Sequence, residues 1–342
     1  MTLRNLCHPL RTFVRWTPAL LLLVASAACD RSKVRETETT PETPAAPATP
    51  PANAPKLVTL SEHISRPAPE RLVAIGDLHG DLEKARRVLR LAGAVDANDA
   101  WIGGKLVVVQ TGDEVDRGDD DRKILDWVEK LKTDAKKSGG EMIAMLGNHE
   151  LMNAVFDFRY VTPGGFQAFS DVTASDPNTA TFLAQLDPSA RGRAAAFAPG
   201  GRYATLLAER PIVVKVGDSV FVHGGILPKH VAFGLDRMND EVHAWLLGKK
   251  ERPPPLAVAD DGPVWTRAYS TPGEEHCAML GEALGALGAK RMVMGHTVQN
   301  GGVTDACNHE AWRIDVGLSR YYGGPVQALE IKGDAVNVLK EP

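Results

Sequence analysis

The sequence is short of several features that would assign it quickly. Four cysteines in 342 residues (Cys7, Cys29, Cys277 and Cys307) exclude a disulfide-dense scaffold. There is no basic run, and the formal net charge is −4, so the chain lacks the electrostatic footprint of a nucleic-acid binder. Nucleic acid is therefore not an expected partner, although a small phosphorylated substrate needs only a local basic pocket. The apolar run at 18–28 is too short to cross a bilayer, which takes about 20 residues. Internal repeats are also missing. What remains is ordinary globular composition, 44% hydrophobic and 24% charged, on a chain long enough for one large domain or two small ones.

The N-terminus reads as an export signal. Arg4, Arg11 and Arg15 form a positive flank, a short apolar stretch follows, and Ala25-Ser26-Ala27-Ala28 supplies small residues before Cys29. A cysteine in that place resembles a bacterial lipoprotein signal and implies that Cys29 is lipidated and anchors the protein to a membrane on the periplasmic side. Ordinary cleavage nearby, leaving Cys29 discarded or free, is the other reading. Removing the signal peptide (1–28) removes three arginines and no acid, so the formal charge moves from −4 to −7. Residues 29–56 are rich in Pro, Thr and Ala and cannot bury enough surface to fold; they read as a disordered linker. In an oxidising compartment Cys277 and Cys307 are expected to pair, while His276-Cys277 and Cys307-Asn308-His309 leave open a separate metal site.

From about residue 57 to 342 the chain reads as one catalytic domain. Short apolar runs recur at 71–75, 106–110, 142–146, 219–222 and 291–294, each ending in glycine and polar residues. Runs of that length read as buried strands. Leu82, Ala85, Leu89 and Ala92 mark a helix face after the first, and Ile124, Leu125, Val128 and Leu131 another after the second. Strand, polar loop, helix, strand is an α/β alternation. Three late runs, 312–314, 326–331 and 335–339, lack intervening helices and suggest antiparallel pairing at the edge of one sheet. The long segment 151–218, with its Ala-rich stretch, is a candidate cap over the site or a peripheral ornament.

Metal-type residues fall just past the strands: Asp77 and His79, Asp113, Asn148, His223, and His296. In open α/β sheets the loops at strand carboxyl ends share one rim, where ligands bind. Any one such residue is ordinarily a turn or a core histidine; a set of six is a different matter. Carboxylate, amide and imidazole donors suit Zn, Mn or Fe and argue against a thiolate site. Asp113, with two oxygens, can bridge two ions, and two close ions can hold a hydroxide between them and clamp phosphate oxygens.

Gly76-Asp77-Leu78-His79-Gly80, Gly112-Asp113-Glu114-Val115-Asp116-Arg117-Gly118 and Gly147-Asn148-His149-Glu150 resemble the GDxHG, GDxxDRG and GNHE signatures of the calcineurin-like metallophosphoesterases, phosphoprotein phosphatase branch. His223-Gly224-Gly225 and Gly295-His296 are similar to its later histidine motifs. Val264-Trp265-Thr266-Arg267 and Asp315-Val316-Gly317-Leu318-Ser319-Arg320-Tyr321-Tyr322-Gly323-Gly324 look most like its bacterial, Shewanella-like group. The resemblance implies a two-sheet β-sandwich flanked by helices, in α-β-β-α layers. It implies two divalent or trivalent metal ions (Mn, Fe or Zn), the first held by Asp77, His79 and Asp113, the second by Asp113, Asn148, His223 and His296. His149 would protonate the leaving oxygen with Asp116 orienting it, and Arg117 and Arg267 would bind the phosphoryl oxygens. Tyr321 and Tyr322 could line the site or pack at a sheet edge. Asp119, Asp120 and Asp121 read as a solvated helix start.

The implied activity is that of an exported phosphatase cleaving phosphomonoesters, in a protein or peptide bearing phospho-Ser/Thr or phospho-Tyr, by attack of a metal-bridging hydroxide. Hydrolysis of dinucleoside polyphosphates or other nucleotides is the enzymatic alternative. A non-catalytic binding protein is the third reading, and the intact ligand set speaks against it. Mass spectrometry of the mature N-terminus is expected to find lipid-modified Cys29; an unmodified terminus at or near Asp30 would leave ordinary cleavage in its place.

Overall fold

The computed structural model describes residues 57–174 and 176–341. The signal peptide and the whole 29–56 linker, Cys29 included, lie outside the described residues.

Among the described residues, eleven strands form two sheets. β1 (Ser65–Arg66), β2 (Leu72–Ile75), β3 (Val107–Gln110), β4 (Glu141–Ala144), β5 (Val213–Val216), β6 (Ser219–Val222), β7 (Arg291–Met294), β8 (Thr304–Ala306), β9 (Ala311–Arg313), β10 (Gln327–Lys332) and β11 (Ala335–Lys340) follow in chain order. One sheet runs β11-β10-β2-β3-β4 and the other β1-β5-β6-β7-β9-β8. β2, β3 and β4 are parallel, with Leu72 beside Val107 and Val107 beside Glu141. In the other sheet β6, β7 and β9 are parallel.

The period-two geometry of a strand sends alternate side chains to opposite faces, and here both faces are covered. Leu72 and Ala74 point between the sheets, where they join Val109, Phe221, Val293 and Trp312. Val73 and Ile75 point the other way, toward helices α1 (Leu82–Leu91) and α2 (Asp121–Lys137), meeting Val88, Leu89, Ile124 and Val128. Val220, Val222, Met292 and Met294 face the opposite outer layer, packing on Val231, Met238, Leu280 and Leu284. This is the α-β-β-α order expected. α1 is capped by Asp81, whose side chain accepts from Lys84 N–H at 3.1 Å.

Two expectations need correction, one at the end of the chain and one at the start of α2. The 312–314 run does not join 326–331 and 335–339 at one edge. β9 belongs to the other sheet, parallel to β7 and antiparallel to β8, while only β10 and β11 make the antiparallel edge. Sequence spacing cannot distinguish two sheets whose strands interleave along the chain. Asp121 is not solvated but fully buried.

Residues 151–218 hold the rest of α3 (Asn148–Ala154), then α4 (Pro163–Gln167), α5 (Pro177–Leu183), α6 (Arg191–Phe197) and α7 (Arg202–Leu207), and end in β5 within the six-stranded sheet. Cys277 and Cys307 are joined by a disulfide that ties helix Glu274–Leu287 to the turn after β8. Both sulfurs are engaged in that bond. Their histidine neighbours make local contacts, His309 Nδ1 to Asp305 at 2.6 Å and His276 Nδ1 to Gly273 N–H at 3.4 Å. Among the described residues no helix is long and apolar enough to cross a membrane.

A bond across 30 residues of chain should stabilise by roughly 3–4 kcal/mol through the unfolded state. Reduction is therefore expected to lower the denaturant midpoint and to raise the thiol count by two; an unchanged count would remove the bridge.

Candidate active site

The candidate residues arrive from both sheets. Asp77 and His79 follow β2, Asp113 follows β3, Asn148 and His149 open α3 after β4, His223 follows β6, and His296 follows β7. All are buried. Asp113 lies at the centre. Its Oδ2 is 3.2 Å from His223 Nε2, 3.8 Å from His149 Nε2 and 3.9 Å from His79 Nε2. Asp77 Oδ2 is 3.8 Å from His79 Nε2. Asn148 Oδ1 lies 2.9 Å from His223 Nε2. Potential ligand atoms of Asp113, His223 and His296 fall within 4.8 Å of one another, as do those of His79, Asp113 and His149.

The backbone is bent to make this possible. His79, Asp113, Asp116, Arg117 and His296 all have positive φ, from 46° to 70°. Each such conformation costs a non-glycine residue of order 1–3 kcal/mol and persists only where the surroundings hold it. Gly147 lets two loops close up: a Cβ there would stand 2.1 Å from Asp113 Oδ1. Glu150 locks the same turn. Its carboxylate accepts from the backbone N–H groups of Asp113 (2.9 Å), Glu114 (2.8 Å) and Gly147 (2.8 Å).

The donor set fits metal ions. His79, His223 and His296 each give one ring nitrogen to a backbone carbonyl: Nδ1 to Val115 O (3.2 Å), Nδ1 to Thr111 O (2.9 Å) and Nε2 to Trp265 O (2.9 Å). A carbonyl only accepts, so that nitrogen carries the proton and the other is free to ligate, the usual arrangement of metal-bound histidine. At His223 the free nitrogen faces two oxygens, Asn148 Oδ1 and Asp113 Oδ2, so a proton or a cation must lie among them. Burial, reinforced by the nearby rings of His149 and His223 respectively, pushes His79 and His296 down to about 3, which keeps both lone pairs available. Asp77 is pushed well up, first by burial and then by Asp315 and Asp113, and Asp315 is pushed up to about 6, chiefly by burial. So many buried acids together call for positive charge.

His149 differs from the other three. Its Nδ1 meets a carboxylate, Asp116 Oδ2, at 2.7 Å. Burial opposes charging the ring, but Asp113 and Asp116 outweigh it and raise its pKa. Arg117 Nη2 is 3.3 Å from His149 Nε2, a poor setting for a cation and a good one for an anion. The Arg117 guanidinium is framed by Tyr160, Tyr322 and Tyr321, 4.4, 5.1 and 5.2 Å from the ring centres, so both late tyrosines line the site. Arg267 donates to His296 O (3.0 Å) and Thr297 Oγ1 (2.6 Å). A cleft of about 420 Å³ opens beside His79 and Arg117, lined also by Thr162, Ser319, Arg320 and Tyr321.

Sequence reasoning missed four participants. Asp315 stood inside a quoted motif without a role. Glu150 was the last letter of another. Tyr160 and Arg193 carried no motif at all. Arg193 is fully buried and reaches Asp116 Oδ1 at 2.8 Å.

The family profile of the calcineurin-like phosphoesterases matches residues 70–300. The chain belongs to that family. Its members are metal-dependent phosphoric ester hydrolases with a dinuclear metal centre. The chain is 42% identical to Shewanella-like protein phosphatase 2 of Arabidopsis thaliana, over 78% of this chain and 76% of that protein. It is 31% identical to Shewanella-like protein phosphatase 1 of Plasmodium berghei, over 75% and 69%. These relatives put this phosphoesterase in the phosphoprotein phosphatase branch. In fold it is similar to the cold-active protein-tyrosine phosphatase of a psychrophilic Shewanella species, at a TM-score of 0.65, covering 83% of each chain with 22% identity.

Glu150→Gln should cost roughly 2–4 kcal/mol, because an amide NH₂ would replace an acceptor that three buried N–H groups use. Urea unfolding measures it; a loss below about 0.5 kcal/mol would mean the turn does not depend on that carboxylate.

Proposed function

We propose that this phosphoesterase hydrolyses phosphomonoesters carried by proteins or peptides, on phospho-Ser/Thr or phospho-Tyr. The observation that carries the reading is the buried Asp116–His149 pair standing beside Asp113 with Arg117 against its outer nitrogen. A cleaved monoester needs its leaving oxygen protonated and its phosphoryl oxygens neutralised, and these groups offer both.

In this reading Asp77, His79 and Asp113 would hold one ion, and Asp113, Asn148, His223 and His296 the second; Mn, Fe and Zn all suit the donors. When bound, the pair supplies charge opposite the phosphoryl oxygens and an acidified water as nucleophile. The chain's own part is positioning. Arg117, with its planar fork, holds phosphoryl oxygens, and Arg267, bonded to the His296 loop, is the second guanidinium for them. Asp116 fixes the ring so that Nδ1 keeps its proton and Nε2 delivers one to the departing oxygen. The tyrosines around Arg117 hold its guanidinium in place by stacking.

The proposal includes export and a lipid anchor at Cys29. The signal-like leader supports it, and so does the Cys277–Cys307 disulfide, a bond at home in an oxidising compartment.

The test is turnover by purified protein across phosphopeptides, diadenosine tetraphosphate and aryl phosphate, with Mn, Zn and Fe added separately. Phosphopeptide turnover is expected; turnover of the dinucleotide without any phosphopeptide would reverse the reading. Asp113→Asn should lose both metal and activity. His149→Ala should keep metal yet slow phosphopeptide turnover by about 10²–10⁴-fold. An equal loss on an activated aryl phosphate would remove His149 as the acid.

A further inference from the structure

We infer that Arg193 is a positioning residue for the leaving-group acid, acting through Asp116. The inference rests on the proposed role of His149.

Arg193 sits on α6, in the segment between the two halves of the sandwich sequence, far in the chain from every motif. Its side chain is fully buried, as is that of Asp116. Three contacts of its guanidinium fall on Asp116 or on groups bonded to Asp116, and a fourth goes to the backbone of Gly165. Nη2 donates to Asp116 Oδ1 (2.8 Å) and Nε to Asn153 Oδ1 (2.7 Å). Nη1 reaches Asp121 Oδ2 (2.7 Å) and Gly165 O (2.9 Å). Asn153 in turn donates to Asp116 Oδ1 (3.0 Å), and Asp121 accepts from the backbone N–H of Asp116 (3.1 Å). Asp116 is thus gripped on one carboxylate oxygen and at its backbone, leaving Oδ2 for His149.

The charge balance explains why a guanidinium stands there. Asp116 and Asp121 are neighbouring buried acids. Burial pushes Asp121 up to about 6, against the pull of Arg193 and with the push of Asp116. For Asp116 burial acts the same way, but the bond to His149 and the charge of Arg193 outweigh it and hold the carboxyl below its usual range. Without the cation, two buried carboxylates would face each other and one would take up a proton. Asp116 would also lose the donor that fixes Oδ1 and so turns Oδ2 toward His149 Nδ1. The strained turn would also lose a clamp, since Asp116 and Arg117 have φ of 70° and 65°. A lysine cannot substitute: one ammonium cannot span Asp116, Asn153 and Asp121 together.

The approach of α6 is itself specified. Phe169 and Phe197 flank the guanidinium at 5.2 and 5.1 Å. At Gly192 a Cβ would stand 2.2 Å from Phe169 O, so only glycine lets the helix come this close. The 151–218 segment therefore supports the acid from behind, whatever it does over the cleft.

The test compares Arg193→Gln and Arg193→Lys with the parent enzyme on a phosphoserine peptide and on 2,4-dinitrophenyl phosphate, whose leaving group needs no proton. We expect kcat on the peptide to fall about 10- to 100-fold. On the activated ester it should fall less than about threefold, with bound metal unchanged. In a His149→Ala background, Arg193→Lys should cause no further loss on the peptide. Equal losses on both substrates, or an additive loss in the His149→Ala background, would overturn the inference. If Arg193→Gln does not fold, Asn153→Ala removes the other donor to Asp116 Oδ1, and the same leaving-group contrast decides. Should His149→Ala itself show no leaving-group contrast, the reading of His149 falls; a contrast at His149 but none at Arg193 sinks only the present inference.

Discussion

The burial of Asp113 is the constraint on which the site depends. A carboxylate this deep is expensive unless its oxygens find partners. One oxygen accepts the backbone N–H of His149 at 2.9 Å; the other faces three imidazoles. Burial works against its ionised form, yet the His223 and His149 rings outweigh burial and keep it ionised. The turns around it are built to serve that geometry. Glycines allow the close approach, Glu150 ties down the N–H groups, and the unfavourable φ values are absorbed by packing elsewhere. The stability of the sandwich is spent, in part, on holding a concentration of negative charge that ions can complete.

Around that centre the histidines divide by what their second nitrogen touches. Three meet backbone carbonyls, which fix a tautomer without adding charge. His149 meets the Asp116 carboxylate there; Asp113 raises the pKa of both His149 and His223, so it is this second partner that sets His149 apart. The distinction turns one residue type into ligand and acid within a few ångström, and it is made entirely by neighbours.

Much of this was legible in the sequence because the chemistry sits beside glycines at strand ends, and apolar runs announce the strands. The six candidate ligands could be named from that pattern, and His149, Asp116 and Arg117 from the family resemblance of the motifs around them. The helices over 82–91 and 121–137 followed from apolar spacing. The division of strands between sheets was less visible, since β9 looks like β10 in composition and only pairing tells them apart. Arg193 was invisible for a different reason. A buried arginine in an Ala-rich helix has no local signature; its meaning lies in Asp116, Asp121 and Asn153, which the chain brings to it from far away. Asp121, read as one of three surface acids, was misplaced for the same reason.

The two sheets contribute separately to the rim. Asp77, Asp113 and Asn148 stand on loops of the β2-β3-β4 sheet, while His223 and His296 stand on loops of the β6-β7 sheet. Any cation held by both groups would act as a clasp across the seam of the sandwich. Sliding one sheet against the other would then open the clasp, and filling the site would resist the sliding. Ion occupancy and the cohesion of the whole molecule become linked equilibria, so the protein's resistance to unfolding should report the free concentration of the ion that its rim selects.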